Sequence, residues 1–136
     1  MHQGFPLINL NSALLAPLVL PHLAVIDGFE GMEGSGPNNG DAVDWHTALA
    51  GLDAVAVDHL TAYLMGFDPS QIGYLAYCRK TGLGIGDLSQ IEVLSGLEPK
   101  SVRRVFRPHP GTQRQLAWHL PEAERLLASL KTTTNS

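Results

Sequence analysis

The segment that most constrains the fold is acidic and glycine-rich, and it spans residues 27–41. Residues 28–44 hold five glycines, one proline and an Asn-Asn pair. Glycine disfavours both helix and strand interiors, and clusters of Gly, Pro and Asn are typical of turns. The segment therefore predicts a long irregular loop after a short buried strand. Long loops inside compact domains are usually functional or disordered, which makes this one the first candidate for a site.

Charge is divided unevenly along the chain. Residues 1–78 carry eight Asp and Glu and no Lys or Arg, whereas residues 79–136 carry nine Lys and Arg against five acids. The eight acids need solvent, the distal arginines or a bound cation as their counterpart. Because a phosphate backbone requires a dense basic face, this distribution predicts no nucleic-acid partner.

Strand and helix patterns alternate along the chain. The predicted elements are an N-terminal loop with one short helix over 5–21, strands over 22–26, 46–52 and 91–94, and helices over 54–65, from Pro69 and from Pro121. Asp53 is a typical N-cap for the helix over 54–65, and Gly66 is a typical stop. This order predicts an α/β fold with a small, mainly parallel sheet flanked by helices. So few strands also indicate part of a larger α/β domain, or a sheet completed by association.

Length and hydropathy bound the class of protein. A chain of 136 residues with 44% apolar residues predicts one domain over 1–131 and a disordered tail over 132–136. The longest apolar run covers residues 13–20, well short of the roughly 20 residues that span a membrane. A secretory signal has a basic residue before its apolar run, and no Lys or Arg precedes this one. A cytoplasmic location without a membrane segment is therefore predicted.

The glycine-rich segment carries the predicted site. Asp27, Glu33 and Asp41 offer the carboxylate oxygens that Mg²⁺ and Ca²⁺ prefer. Backbone amides of a glycine-rich loop can also converge on a small anionic ligand. The candidates for that role are Gly34, Ser35, Gly36, Asn38 and Gly40. The alternative is a mobile surface loop, and the segment lacks the Gly-Lys-Ser/Thr of a phosphate-binding P-loop.

Asp58 is the remaining ligand-binding candidate, because it lies in a predicted helix that is apolar on nearly all sides. A buried carboxylate needs a partner or a proton. The candidate partners are amides of the glycine-rich segment, a distal arginine or a metal ion. Structural anchoring of the loop is the alternative role for this residue.

Cysteine and histidine usage excludes several classes of site. Cys78 is the only cysteine, so an internal disulfide is impossible and no iron–sulfur cluster is ligated by this chain alone. The six histidines lack the spacing of a zinc site.

Four motifs occur in an order that resembles domain-of-unknown-function family 362. They are Leu-Ala-Val-Ile-Asp-Gly at 23–28, Gly-Met-Glu-Gly-Ser-Gly-Pro at 31–37 with Gly-Asp at 40–41, Leu-Asp-Ala-Val-Ala-Val-Asp at 52–58, and Leu-Met-Gly-Phe-Asp-Pro at 64–69. The resemblance spans roughly residues 8–106 and corresponds to the later part of the family's domain. It implies an α/β domain that sometimes occurs in iron–sulfur proteins, often beside a ferredoxin-like module. It implies no particular reaction.

Two functions follow from these features. In the first, the chain belongs to an enzyme-like α/β protein and its acidic glycine-rich segment binds a divalent cation or a small anionic ligand. In the second, the chain is a non-catalytic module that completes its sheet with a second copy or with a partner chain supplying the rest of the domain. The sequence leaves open whether the protein is an enzyme.

Overall fold

A computed structural model of the protein describes residues 4–133, with side chains to residue 128. Two strands and five helices form in the order α1 (Phe5–Val19), β1 (Ala24–Ser35), β2 (Asn39–Gly51), α2 (Ala54–Leu64), α3 (Gly73–Thr81), α4 (Thr112–Leu116) and α5 (Ala123–Thr133). Short 3-10 turns cover Pro69–Gln71, Leu88–Gln90 and Pro99–Val102. The mixed helix-and-strand class is confirmed. The predicted tail lies outside the described residues from 134 onward.

The sheet differs from the prediction. β1 and β2 form a two-stranded antiparallel sheet, so the predicted mainly parallel sheet is wrong. The predicted loop over 28–44 is also wrong, because that segment is most of a long hairpin whose turn is residues 36–38. A strand over 91–94 is likewise absent from the described part of the chain.

Glycines in the hairpin make room for aromatic rings. A Cβ on Gly28 would lie 2.6 Å from Cε3 of Trp45, and one on Gly31 would lie 2.7 Å from Cε1 of Phe106. A side chain at either position would collide with these buried rings. These two glycines therefore serve close packing of the hairpin, and not the flexibility of a loop.

A bulge interrupts the hairpin register. The pair Gly28–Thr47 is followed by Glu30–Asp44, so β2 has one residue more than β1 across this step. Within it, His46 adopts a left-handed conformation with φ 55°. Its ring stacks on Phe29 with a centroid separation of 4.5 Å. Bulges of this kind redirect side chains, and here His46 faces outward from the sheet.

Four helical predictions can be compared with the structure, and the one from Pro121 corresponds to α5, which begins at Ala123. The helix over 54–65 is confirmed as α2, and Oδ1 of Asp53 accepts a hydrogen bond from the Ala56 amide at 3.0 Å. The helix predicted from Pro69 begins as a 3-10 turn and continues as α3, which ends at Gly82 with φ 74°. Residues 5–19 form one 15-residue helix, longer than predicted. Its Pro17 lies in the last turn and lacks the N–H that would bond the Ala13 carbonyl, so it removes one hydrogen bond near the end of the helix.

The core has two parts that meet at α2. The first joins α1, α2, α3 and α5 around Leu10, Leu75 and Cys78, each at most 2% exposed. The second is smaller and holds the hairpin against α2 through Val43, Trp45, Leu64 and Phe106. None of the described helices is long and apolar enough to cross a membrane.

Candidate functional site

The hairpin tip brings together two of the three predicted metal ligands. Glu33 and Asp41 are directly opposite each other in the register of β1 and β2. Asp27 lies six residues before Glu33 on β1, roughly 20 Å away at the rise of a strand. Its Oδ1 instead accepts a hydrogen bond from the amide of Phe29 at 2.9 Å. The three carboxylates therefore do not converge on one point.

Arg107 holds the acidic pair at the tip. Its guanidinium forms an ion pair with Asp41 and lies 3.8 Å from Oε1 of Glu33. Its amide donates to Oε2 of Glu33 at 2.8 Å, and its carbonyl accepts from the Gly34 amide at 2.9 Å. The hydrogen bond and charge of Asp41 raise the pKa of Arg107. A distal arginine is thus a counterpart of both acids at the tip.

The other candidates of the glycine-rich segment belong to the hairpin itself. Gly34 and Ser35 end β1, Gly36 and Asn38 lie in the turn, and Gly40 pairs with Gly34 in β2. A Cβ on Gly34, which has φ 75°, would lie 2.9 Å from Nη2 of Arg107. A Cβ on Gly40 would collide with Met32. Backbone amides of this segment therefore contribute to strand pairing and to the Arg107 contact.

Asp58 lies in the helical part of the molecule, away from the tip. Its Oδ2 accepts a hydrogen bond from the Tyr74 hydroxyl at 2.8 Å. Burial raises the pKa of Tyr74, and the negative charge of Asp58 raises it further. The same two causes, in the same order, raise the pKa of Cys78 to about 11. Sequence reasoning missed Tyr74 as the partner, although α2 and α3 were both predicted.

A groove runs along the free edge of β2. Its larger cavity, about 720 Å³, is lined by residues 48–52 of β2 and its end, by one face of α2 and by residues 90–95. A smaller cavity of about 160 Å³ extends it along residues 46–49. The α2 face consists of Ala56, Val57 and Leu60. We call this feature the β2 groove; no sequence motif indicated it.

Exposed leucines border the β2 groove. Leu52 and Leu94 are 82% and 86% exposed, and Leu23 is 57% exposed. All three line the larger cavity. Contiguous exposed apolar side chains of this kind mark surfaces for protein association or ligand binding.

No described group of three or more His, Cys, Asp or Glu side chains is arranged to hold a metal ion. The acidic residues of the hairpin are instead distributed along its length, and the Arg107 side chain contacts the two at the tip. Other features that could bind a partner are the free strand edges, the outer face of the hairpin and the β2 groove.

The geometry thus defines a small helix-and-strand fold whose antiparallel hairpin pairs with no third strand among the described residues. Residues 2–63 match the family model described as domain of unknown function DUF362. The resemblance is therefore confirmed, but its extent is corrected. The match lies in the early part of the chain and ends within α2, where a range of 8–106 and the later part of the family's domain were predicted. No curated protein and no solved structure matches the chain.

Proposed function

We propose that this protein is a non-catalytic assembly module that completes its sheet by associating with a second copy of itself. This proposal rests on the outer edges of β1 and β2, which pair with no further strand in the described part of the chain. Apart from bonds between β1 and β2, one backbone-to-backbone hydrogen bond joins the sheet to another described residue, from Gly34 to Arg107. Two strands of 12 and 13 residues with free edges are a template for further strand pairing.

The outer face of the hairpin supports association as well. Val25 and Phe29 are 66% and 64% exposed, and Met32 is 48% exposed. All three lie on β1. Burial of exposed apolar surface of this kind on association is favourable at about 25 cal/mol per Å².

A second copy is a suitable partner because the chain carries both signs of charge in separate regions. Its first 78 residues contain only acids among the charged types, and its remaining residues have an excess of bases. Two identical chains in opposite orientation can therefore place unlike regions next to each other. Closed two-fold dimers are also the commonest homo-oligomers.

The proposal predicts a concentration-dependent mass. Sedimentation equilibrium or light scattering from micromolar to millimolar protein should show the mass rising from 14.6 kDa towards twice that value. Amide exchange measured at both extremes should show protection rising in β1 or β2 and not in α1 or α3. A mass of one chain at every concentration would overturn the proposal.

Cation or anionic-ligand binding by the glycine-rich segment is the second candidate, favoured by the cross-strand pairing of Glu33 and Asp41. Any ion at this position must displace the Arg107 guanidinium. The Arg107→Gln variant should then show a larger thermal shift with Mg²⁺ or Ca²⁺ than the wild type, with a ligand at 100 times its Kd adding about 2.7 kcal/mol. Asp41→Asn in the same background should remove the shift. Equal melting temperatures with ion and with chelator, in the wild type and in Arg107→Gln, would reject this candidate.

A further inference from the structure

We propose that two copies join along the β2 edge at residues 47–52, giving a four-stranded sheet in the order β1-β2-β2-β1. This inference rests on the proposed self-association and specifies where it occurs. The two strands of each copy provide two candidate edges, and charge distinguishes them. β1 carries Asp27, Glu30 and Glu33 along its length.

Like charges directly opposite each other destabilise a strand pair, and charged edges are a common protection against unwanted pairing. Pairing β1 with its own copy would bring those carboxylates together. Residues 47–52 of the other edge read Thr-Ala-Leu-Ala-Gly-Leu and contain no charged side chain. Residues 47–52 of the β2 edge therefore lack this protection, although Asp41 and Asp44 lie nearer the hairpin turn on the same strand.

The β2 groove gives a second strand access to this edge. Side chains of a strand alternate between its two faces, so a cavity against one face is lined by every second residue. The larger cavity is lined by five consecutive residues, 48–52, and the smaller by four, 46–49. Consecutive residues, and not every second one, line both cavities, as expected where a cavity lies against the edge of a strand.

Side-chain size at the edge favours close approach. Ala48, Ala50 and Gly51 present little bulk to a neighbouring strand. Behind them, Ala56, Val57 and Leu60 form an apolar wall that an incoming strand would cover. The exposed side chains of Leu52 and Leu94 would lose contact with water in the same step.

Charge at the two ends of the groove fits an antiparallel partner. The end near Leu52 is lined by two acids, Asp53 and Glu92. At the opposite end, three bases lie in the segment 100–104, where an Arg104 side chain reaches the Asp44 carbonyl. The nearby acids there are Asp44 and Glu98. Two-fold antiparallel pairing places the acidic end of one copy beside the net basic end of the other.

The test compares two lysine substitutions in the same strand. Ala48 and Ala42 are both exposed on β2, and only Ala48 lines the groove. A lysine at the groove position of each copy would put like charges at the interface. We expect Ala48→Lys to weaken self-association at least about tenfold and Ala42→Lys to leave the wild-type dissociation constant unchanged.

A pair of leucine variants keeps the test valid if Ala48→Lys fails to fold. Leu52 at the groove and Leu18 on α1 are almost equally exposed, at 82% and 81%. We expect Leu52→Asp to weaken the dimer and Leu18→Asp to leave it intact, with circular dichroism confirming that both fold.

Three results distinguish the two levels of the proposal. Weakening by the groove variants alone, with new amide protection over residues 47–51 in the wild-type dimer, supports the β2 edge. Equal dimerisation of groove and control variants would overturn the edge assignment and leave self-association standing. A wild-type chain that stays monomeric at all concentrations would overturn both.

Discussion

Replacing Trp45 with alanine is expected to lower the free energy of unfolding by about 3–5 kcal/mol. The indole is 9% exposed and packs edge-on against Phe106 with centroids 5.3 Å apart. Its Nε1 donates a hydrogen bond to the Val102 carbonyl at 2.8 Å. The core between hairpin and helices has four buried residues, so one truncation removes a large share of the contacts that hold the hairpin.

Phe29→Ala is the matched control, since it truncates an aromatic ring on the opposite face of the same hairpin. Phe29 is 64% exposed and its ring stacks on that of His46. Its loss should cost about 1 kcal/mol or less, as is usual for exposed positions. Urea denaturation of the three proteins measures both effects. Equal losses in the two variants would show that the inner face does not anchor the hairpin.

The local signals in the sequence predicted the helical part of the fold well. Asp53 caps α2 as its position before an apolar run indicates, and the glycine at 82 ends α3 in a left-handed conformation. Capping and stop signals act within a few residues, so they are visible in the sequence alone. The helix over residues 5–19 was the exception, because it is longer than predicted and contains Pro17 in its last turn.

The hairpin could not be predicted by the same means. Gly28 and Gly31 look like loop residues until the rings of Trp45 and Phe106 are placed against them. Phe106 lies 75 positions beyond Gly31 in the chain, so no local pattern connects the two. An antiparallel hairpin was therefore mistaken for a strand, a loop and a second strand. That error led in turn to the prediction of a parallel sheet.

The candidate site was limited by the same long-range contacts. Arg107 contacts Glu33 and Asp41 from more than 60 residues away. The sequence indicated that the acids needed counterparts, and it offered distal arginines among three options. The number of charged residues in a sequence does not show which of them lie close together. The contact between Arg107 and the two acids became visible only in the fold.

The buried groups around Asp58 lead to a prediction for alkaline pH. Burial, and then the charge of Asp58, raise the pKa of Cys78 above its ordinary value of 9.0 to about 11. Tyr74, which donates its hydroxyl hydrogen to Asp58, has its pKa raised by the same two causes. In both groups the folded protein binds the proton more tightly than the unfolded chain does.

Stability should therefore be lost as pH rises. A raised folded-state pKa contributes stability that is fully present below the unfolded pKa and disappears as pH increases through the folded pKa. For Cys78 this window runs from about pH 9 to about pH 11, and the shift corresponds to a loss on the order of 2–3 kcal/mol. Tyr74 contributes a further loss in the same direction above about pH 10.

Urea unfolding at intervals from about pH 8 to pH 11 measures this loss in the wild type and in two variants. Cys78→Ala leaves a cavity and should be less stable at pH 8, but its stability should fall less steeply above pH 9. Tyr74→Phe keeps the ring but removes the ionisable hydroxyl and its hydrogen bond to Asp58, so it should be less stable than the wild type at pH 8 and should lose less stability at the alkaline end. Parallel curves for all three proteins would show that neither group is coupled to folding. A shallower slope in Cys78→Ala alone would assign the alkaline loss to the buried thiol beside Asp58, and a shallower slope in Tyr74→Phe alone would assign it to the hydrogen-bonded tyrosine.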